Sequence, residues 1–327
     1  MAPGPASSWG AGRLPGRVHL PRRTWTAHNE HFLNSVYRPM DYRAPGSVKE
    51  AVELLALHDG RAHVLAGGTD LLVKLRGGFV APQVVVDVKA IPQLRGIESD
   101  ARGFRIGAAT SCAELAEHAA FSAAWPGVVE ALHLIGSTQI QGRATAGGNL
   151  CNASPAADSV PAMIAAGAIC QVAGPAGERE VPVEKIVTGP GRTSLARGEF
   201  VVGFRLPKPP PRSGDAYLRL IPRTEMDIAV VGVGVSLALD EKGVCTHARV
   251  GLGAVAPTAL LVEAAGKALI GTRLDAPALA ALAAATSAAC KPIDDKRGTV
   301  AYRIKVAGVL ARRAAAIALD RARARTA

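Results

Sequence analysis

The chain has 327 residues, enough for two domains of roughly 100–200 residues each, and at 49% hydrophobic it carries too much core material for a disordered protein. Its net charge of +11 gathers at the ends: Arg13, Arg17, Arg22 and Arg23 precede the first acid, Glu30, and the basic residues from Arg303 to Arg325 face Asp320 alone. No basic stripe is interleaved with aromatics and no run of about 18 apolar residues occurs, so neither nucleic-acid binding nor a membrane span is expected.

The elements are predicted in chain order as follows. Residues 1–35, rich in Pro, Gly, Ser and Arg, read as a tail or an upstream extension, with the acid-poor composition of a transit peptide. Folded character starts near Tyr42. Ser47 and Glu50 have capping-box spacing ahead of a helix that runs to Gly60. Val64-Leu65-Ala66 is a short strand ending in Gly67-Gly68, Leu71–Leu75 opens a new apolar turn, Val84–Val88 is a β-branched strand and Phe104–Ala108 a shorter one. Ser111 and Glu114 mark another helix start. Residues 170–206 break into short strands at Gly/Pro turns, and Pro207–Pro211 is a plausible boundary. Strand-like runs follow at 216–222, 228–240 and 244–254, then Ala-rich helices at 257–270 and 276–289 and a C-terminal helix over 299–323. The sequence thus divides into a tail (1–35), a two-lobed unit (36–210, lobes 36–90 and 91–210) and a smaller α+β domain (213–327).

Cys112, Cys151, Cys170, Cys245 and Cys290 are widely spaced with no CxxC pair, which disfavours a disulfide framework, a zinc site or an iron–sulfur cluster on this chain. His58, His63, His118 and His133 form no metal spacing and read as structural or surface residues. Cys151 reads as a small thiol without a redox role.

Two glycine segments carry the chemistry. Leu65-Ala66-Gly67-Gly68-Thr69-Asp70 follows a strand, and Thr145-Ala146-Gly147-Gly148-Asn149-Leu150 leads into Cys151-Asn152-Ala153-Ser154-Pro155-Ala156-Ala157-Asp158. Paired glycines let a backbone approach a diphosphate, because they remove the obstructing Cβ and permit φ > 0, and Thr69 and Asn149 add side-chain hydrogen bonds. Either pair alone reads as a tight turn. There is no GxxxxGK[ST] loop, and Gly232-Val233-Gly234 lies inside a strand run rather than opening a helix.

Ala66–Asp70 and Thr145–Asn149 resemble the two FAD-diphosphate loops of the medium, flavin-binding subunit of molybdenum hydroxylases, a family that includes aerobic carbon monoxide dehydrogenases and xanthine dehydrogenase. The resemblance continues through Ala153–Asp158, Gly189-Pro190-Gly191, Gly198-Glu199-Phe200, Leu206-Pro207 and Arg223–Ala229, and so spans about residues 36–320. It implies a two-part FAD-binding domain of the vanillyl-alcohol-oxidase (PCMH) type followed by a smaller α+β domain, a three-stranded antiparallel sheet with helices. It implies FAD as cofactor, with electrons arriving from a small subunit holding two [2Fe–2S] clusters and substrate hydroxylated on a large molybdenum-cofactor subunit, in a cytoplasmic dimer of heterotrimers. The lack of clustered cysteines disfavours the benzoyl-CoA-reductase-like branch, whose flavin subunit carries an extra cluster.

Residue by residue, the resemblance gives the diphosphate to Leu65–Asp70 and Thr145–Asn149, and a further flavin-lining loop to Gly107-Ala108-Ala109-Thr110. Asp158 would bond toward the flavin end. Arg219 stands where some relatives have a Lys near the ring, a cation that would favour reduced flavin, or else it is a surface arginine on a strand. Val201 or Val202 packs against the ring, with Val202 preferred. Glu225 and Asp227 position backbone rather than form an acid/base pair. The competing expectation is a self-contained FAD-dependent oxidoreductase acting on its own substrate; the organic substrate and the electron acceptor stay open.

Overall fold

The computed structural model describes residues 40–58 and 60–325, so the tail expected over 1–35 lies outside the described residues. Strands β1 (Asp41–Arg43), β2 (Ala62–Leu65) and β3 (Val84–Asp87) form a parallel sheet in the order β1-β3-β2. Parallel pairing needs crossovers, supplied by α1 (Val48–Leu57) and by α2 (Leu71–Arg76), which directly follows the first glycine loop. The central strand β3 is buried along its whole length, as a strand flanked on both edges and covered by helices must be. The Ser47 Oγ accepts the Glu50 N–H at 3.2 Å, but the Glu50 carboxylate turns to the Gly46 N–H, so only half of the predicted capping box closes.

The second lobe begins with β4 (Ile97–Asp100) and β5 (Gly103–Gly107). Helices α3 (Cys112–Glu117), α4 (Ala119–Ala124), α5 (Pro126–His133), α6 (Thr138–Gln141), α7 (Ala146–Cys151) and α8 (Ser159–Ala165) come next, then β6 (Ile169–Gly174), β7 (Gly177–Pro182), a hairpin of β8 (Val187–Gly189) with β9 (Arg192–Thr193), and β10 (Phe200–Pro207). Five of these strands make an antiparallel sheet ordered β4-β5-β10-β6-β7. The Ser111–Glu114 capping box at the start of α3 is complete. Phe104, Phe121, Leu132, Leu150, Ile164 and Phe204 fill the core between sheet and helices, with the Phe104 and Phe121 rings edge to face at 5.5 Å.

The C-terminal region is the expected smaller α+β domain. Strands β11 (Ser213–Leu220), β12 (Val231–Leu239) and β13 (Cys245–Gly253) are long and antiparallel, and β14 (Leu260–Leu261) adds two residues to the edge of β13. Helices α9 (Glu263–Lys267), α10 (Ala276–Ala289) and α11 (Val300–Ala324) cover one face. The helix predicted over 257–270 is therefore mostly not there. Pro257 cannot donate a helical N–H, and Leu260 and Leu261 satisfy the open edge of β13 instead, which leaves only Glu263–Lys267 helical. Gly232 and Gly234 do lie within β12; a Cβ on Gly234 would stand 2.6 Å from the Pro161 carbonyl oxygen, so this glycine lets α8 lie on the strand. The basic C-terminal run also turns partly inward. Arg303 is buried, donating to the Val230 carbonyl at 2.7 Å and pairing with Asp295 at 2.7 Å. Among the described residues no helix is long and apolar enough to cross a membrane.

Candidate functional site

The two glycine loops meet across one cavity of about 540 Å³, a size suited to a small molecule or cofactor. Ala66, Gly67, Gly68, Thr69 and Asp70 contribute from the first loop, Thr145, Gly147, Gly148 and Asn149 from the second, and Ala108 and Ala109 from the turn after β5. The first loop is presented by the end of β2, and the second by the start of α7, where the Thr145 Oγ accepts the Gly148 N–H at 2.9 Å.

The four glycines do different jobs. A Cβ on Gly67 would fall 1.9 Å from the Arg143 carbonyl oxygen, and one on Gly147 2.5 Å from that of Ala108; both glycines exist so that backbones can touch. Gly68 has φ +81°, a left-handed conformation that disfavours other residues. Gly148 meets neither constraint. The only atom a Cβ there would approach within 4 Å is the Thr145 Oγ, at 3.0 Å, and the residue borders the cavity. A side chain at Gly148 would occupy space that the fold leaves beside the cavity. That open cradle, between two loops with polar neighbours, fits a diphosphate-bearing cofactor. The Asn149 Oδ1 is taken up by the Ser159 hydroxyl at 2.7 Å, which leaves its Nδ2 as the donor.

Other predicted positions stand behind the wall. Ala146 is buried in the lobe core, the Thr110 hydroxyl donates to the Gly96 carbonyl at 3.1 Å, and Leu65 packs near Gly68. The register of β10 shifts between Val201 and Gly203, a bulge that interrupts side-chain alternation. Val201 consequently borders the cavity, while Val202 packs with Val86, Val88 and Ala109 in the core under the first sheet. Asp158 and Arg219 do not line the cavity but bind each other: the Arg219 Nη1 donates to the Asp158 Oδ2 at 2.7 Å, and the Tyr217 hydroxyl to its Oδ1 at 3.0 Å. Burial still pushes the Asp158 carboxyl up to about 6, against the pull of Arg219. Arg219 is no surface residue, and its Nε is buried without a partner. Asp227 accepts from Arg223, Arg297 and the Ile228 N–H, a backbone-positioning role.

The wall residues that sequence reasoning did not assign to the site include the polar His63, Lys74, Cys151 and Asn152. Lys74 had a signal, since it lies one helical turn past Asp70, the residue at the N-terminal end of α2. Cys151 borders the cavity with part of its surface exposed, while desolvation pushes its thiol up to about 12, where little thiolate forms. Among the described residues no cluster of His, Cys, Asp and Glu could hold a metal ion.

Comparison with known proteins places the chain in a family. The family described as FAD binding domain in molybdopterin dehydrogenase matches residues 38–209, and the CO dehydrogenase flavoprotein C-terminal domain matches residues 216–318. The carbon monoxide dehydrogenase medium chain of Afipia carboxidovorans is 37% identical over 285 residues, 87% of this chain and 97% of that one. The xanthine dehydrogenase FAD-binding subunit of Escherichia coli O157:H7 is 31% identical, covering 80% of this chain and 90% of its own. A chain in the crystal structure of Cu,Mo-CO dehydrogenase superposes with a TM-score of 0.83 at 36% identity, covering 86% of this chain and 98% of that one. This chain is an FAD-binding oxidoreductase subunit. It belongs to the medium-subunit family of the molybdenum hydroxylases.

Proposed function

We propose that the chain is the electron-transfer subunit of a heteromeric molybdenum hydroxylase, with FAD supplying the centre from which electrons, received from [2Fe–2S] clusters on a small partner subunit, leave for an external acceptor. A large partner subunit would bind the organic substrate at molybdenum, in a cytoplasmic dimer of heterotrimers. The observation that carries this reading is the meeting of both glycine loops on one cavity. The relatives that cover nearly their whole length with this chain are themselves named as subunits or medium chains, which supports the division of labour.

On this reading Gly68, Thr69, Gly148 and Asn149 face the diphosphate, while Gly67 and Gly147 hold the two loops together. Ala109 and Val201 form apolar wall. Leu65, Thr110, Ala146 and Val202 support the wall from behind, and Asp158 with Arg219 forms a buried pair toward the flavin end. Residues 36–210, in lobes 36–90 and 91–210, make the FAD-binding unit, and 213–327 the C-terminal domain.

The test is to titrate the purified full chain with FAD and record the visible spectrum and the melting temperature. Wild type is expected to take up FAD stoichiometrically. Gly148→Ala is expected to keep its apo melting temperature, since a helix tolerates alanine better than glycine, yet to bind FAD at least tenfold more weakly. A folded wild-type chain that takes up no FAD overturns the reading. Reduction of the FAD-loaded chain by a small organic substrate without any partner subunit would favour a self-contained oxidoreductase.

A further inference from the structure

We propose that Lys74 is the counter-charge for the diphosphate of FAD, an inference that rests on the FAD reading above and adds to it a residue outside both glycine loops. Lys74 lies on α2, the helix the first loop leads into, and it borders the cavity. Its Nζ donates to the Asn152 Oδ1 at 2.6 Å, and the Asn152 Nδ2 donates to the Asp70 Oδ1 at 3.1 Å. Asp70 immediately precedes α2 and Asn152 immediately follows α7, the helix that carries Gly147 and Gly148. These three side chains therefore bridge the two glycine loops at the cavity they share.

The electrostatics of that bridge are unbalanced. A half-buried ammonium is ordinarily matched by a carboxylate, because desolvating a charge is costly unless an opposite charge is close. Among the described residues the hydrogen-bond partner of Lys74 is a neutral amide oxygen rather than a carboxylate. Asp70 takes the far side of Asn152, which fixes the amide so that its oxygen, rather than its nitrogen, faces Lys74. The other carboxylate on the wall, Glu199, is already taken by Arg179 through two bonds of 2.7 Å. The charge of Lys74 is felt across the cavity wall: it adds to the burial that depresses the His63 imidazole, and it opposes the burial that raises the Asp70 carboxyl. The arrangement holds a cation beside the glycine cradle whose direct partner is neutral and which Asp70 meets only through Asn152, and a diphosphate supplies a direct anion. The Asp70–Asn152 bond then serves to aim the lysine.

The test compares equilibrium binding of FAD, ADP and adenosine to the full chain in wild type and in Lys74→Met, Lys74→Gln and Lys74→Arg. The expected result is a loss of about tenfold or more in affinity for FAD and ADP in the Met and Gln variants, as charge-assisted hydrogen bonds predict, with adenosine unaffected and Arg restoring most of the loss. The dependence of ADP affinity on salt should weaken in the same variants. Equal ADP affinity and equal salt dependence in wild type and in either neutral variant overturns the proposal while FAD binding stands. A fall in melting temperature with unchanged ligand affinities also overturns it, since that is what a lysine serving only to balance Asp70 would give. A wild-type chain that binds neither FAD nor ADP removes the FAD reading and the proposal with it.

Discussion

The cavity and the seam behind it are built by opposite means. At the cavity, backbones approach through glycines, and Gly67 against Arg143 and Gly147 against Ala108 leave no room for a side chain. At the seam, where β11 meets the FAD-binding lobe, buried and half-buried charges stand in opposed sets. Arg219 and Tyr217 hold Asp158, Arg321 holds Glu130 while Glu130 accepts the Tyr217 N–H at 3.0 Å, and the buried Asp215 carboxylate lies against Gly127 at the start of α5. The difference teaches where each region is vulnerable. A glycine–backbone contact is intolerant of volume and holds no titrating group, whereas a charged seam tolerates volume and answers to whatever changes its charge.

The sharpest way to break that contrast is Gly67→Ala. Its Cβ would meet the carbonyl carbon and oxygen of Arg143, backbone atoms that cannot rotate away, so the loops must part. The expected cost is about 3 kcal/mol or more, at the upper end of overpacking effects, together with loss of FAD uptake. Thermal unfolding and FAD titration of the full chain check it. A variant with wild-type melting and wild-type FAD affinity would mean that the cavity wall is not glycine-limited.

On the seam, Arg219→Met is the matching experiment. It keeps the volume and removes the cation, leaving Asp158 buried with only the Tyr217 hydroxyl. Breaking one side of a buried pair costs about 3–5 kcal/mol, or roughly 10 °C in melting temperature for a chain of this size. Asp158→Asn in the same chain should return most of that loss, because the stranded charge is then gone. Failure of the double variant to recover would show that Arg219 acts through its packing instead.

This contrast also explains what could be read from the sequence. Glycine pairs flanked by small polar residues announce themselves locally, as do the Ser111–Glu114 box and the β-branched run of β3, because each is a statement about neighbours in the chain. Seam pairs are not local: Asp158 and Arg219 are 61 residues apart and Glu130 and Arg321 are 191 apart, so even where the Ala153–Asp158 motif singled out Asp158, nothing in the chain paired it with Arg219. The same blindness hid the wall contributions of His63 and Asn152, which depend on the two loops being brought face to face. The Val201–Val202 ambiguity was of another kind. It turned on a bulge in β10, and alternation cannot be carried through an extra residue. At residues 257–270 composition favoured a helix, but a free strand edge at β13 took Leu260 and Leu261.

The smallest expected effect is the pH response of the seam, carried by Asp215. Burial pushes Asp215 up to about 7, with Glu130 adding to the rise while Arg321 and the Gly127 and Val128 N–H groups oppose it. A carboxyl whose folded value lies above its unfolded value favours the folded chain while it is protonated. Its contribution is complete below about pH 4 and is lost as pH rises through 7. Asp158, at about 6, acts in the same direction but has largely finished titrating by then, so the interval from pH 6.5 to 8.5 isolates Asp215. That part of the loss is about 0.8 kcal/mol, so the melting temperature of the wild-type chain should fall by roughly 2–3 °C across the interval, and Asp215→Asn, which keeps the shape and cannot ionise, should flatten the fall. Gly148→Ala, on the cavity side, should leave the slope as it is. An equal slope in Asp215→Asn and wild type would place the titrating group elsewhere and remove the distinction between a wall fixed by shape and a seam set by charge.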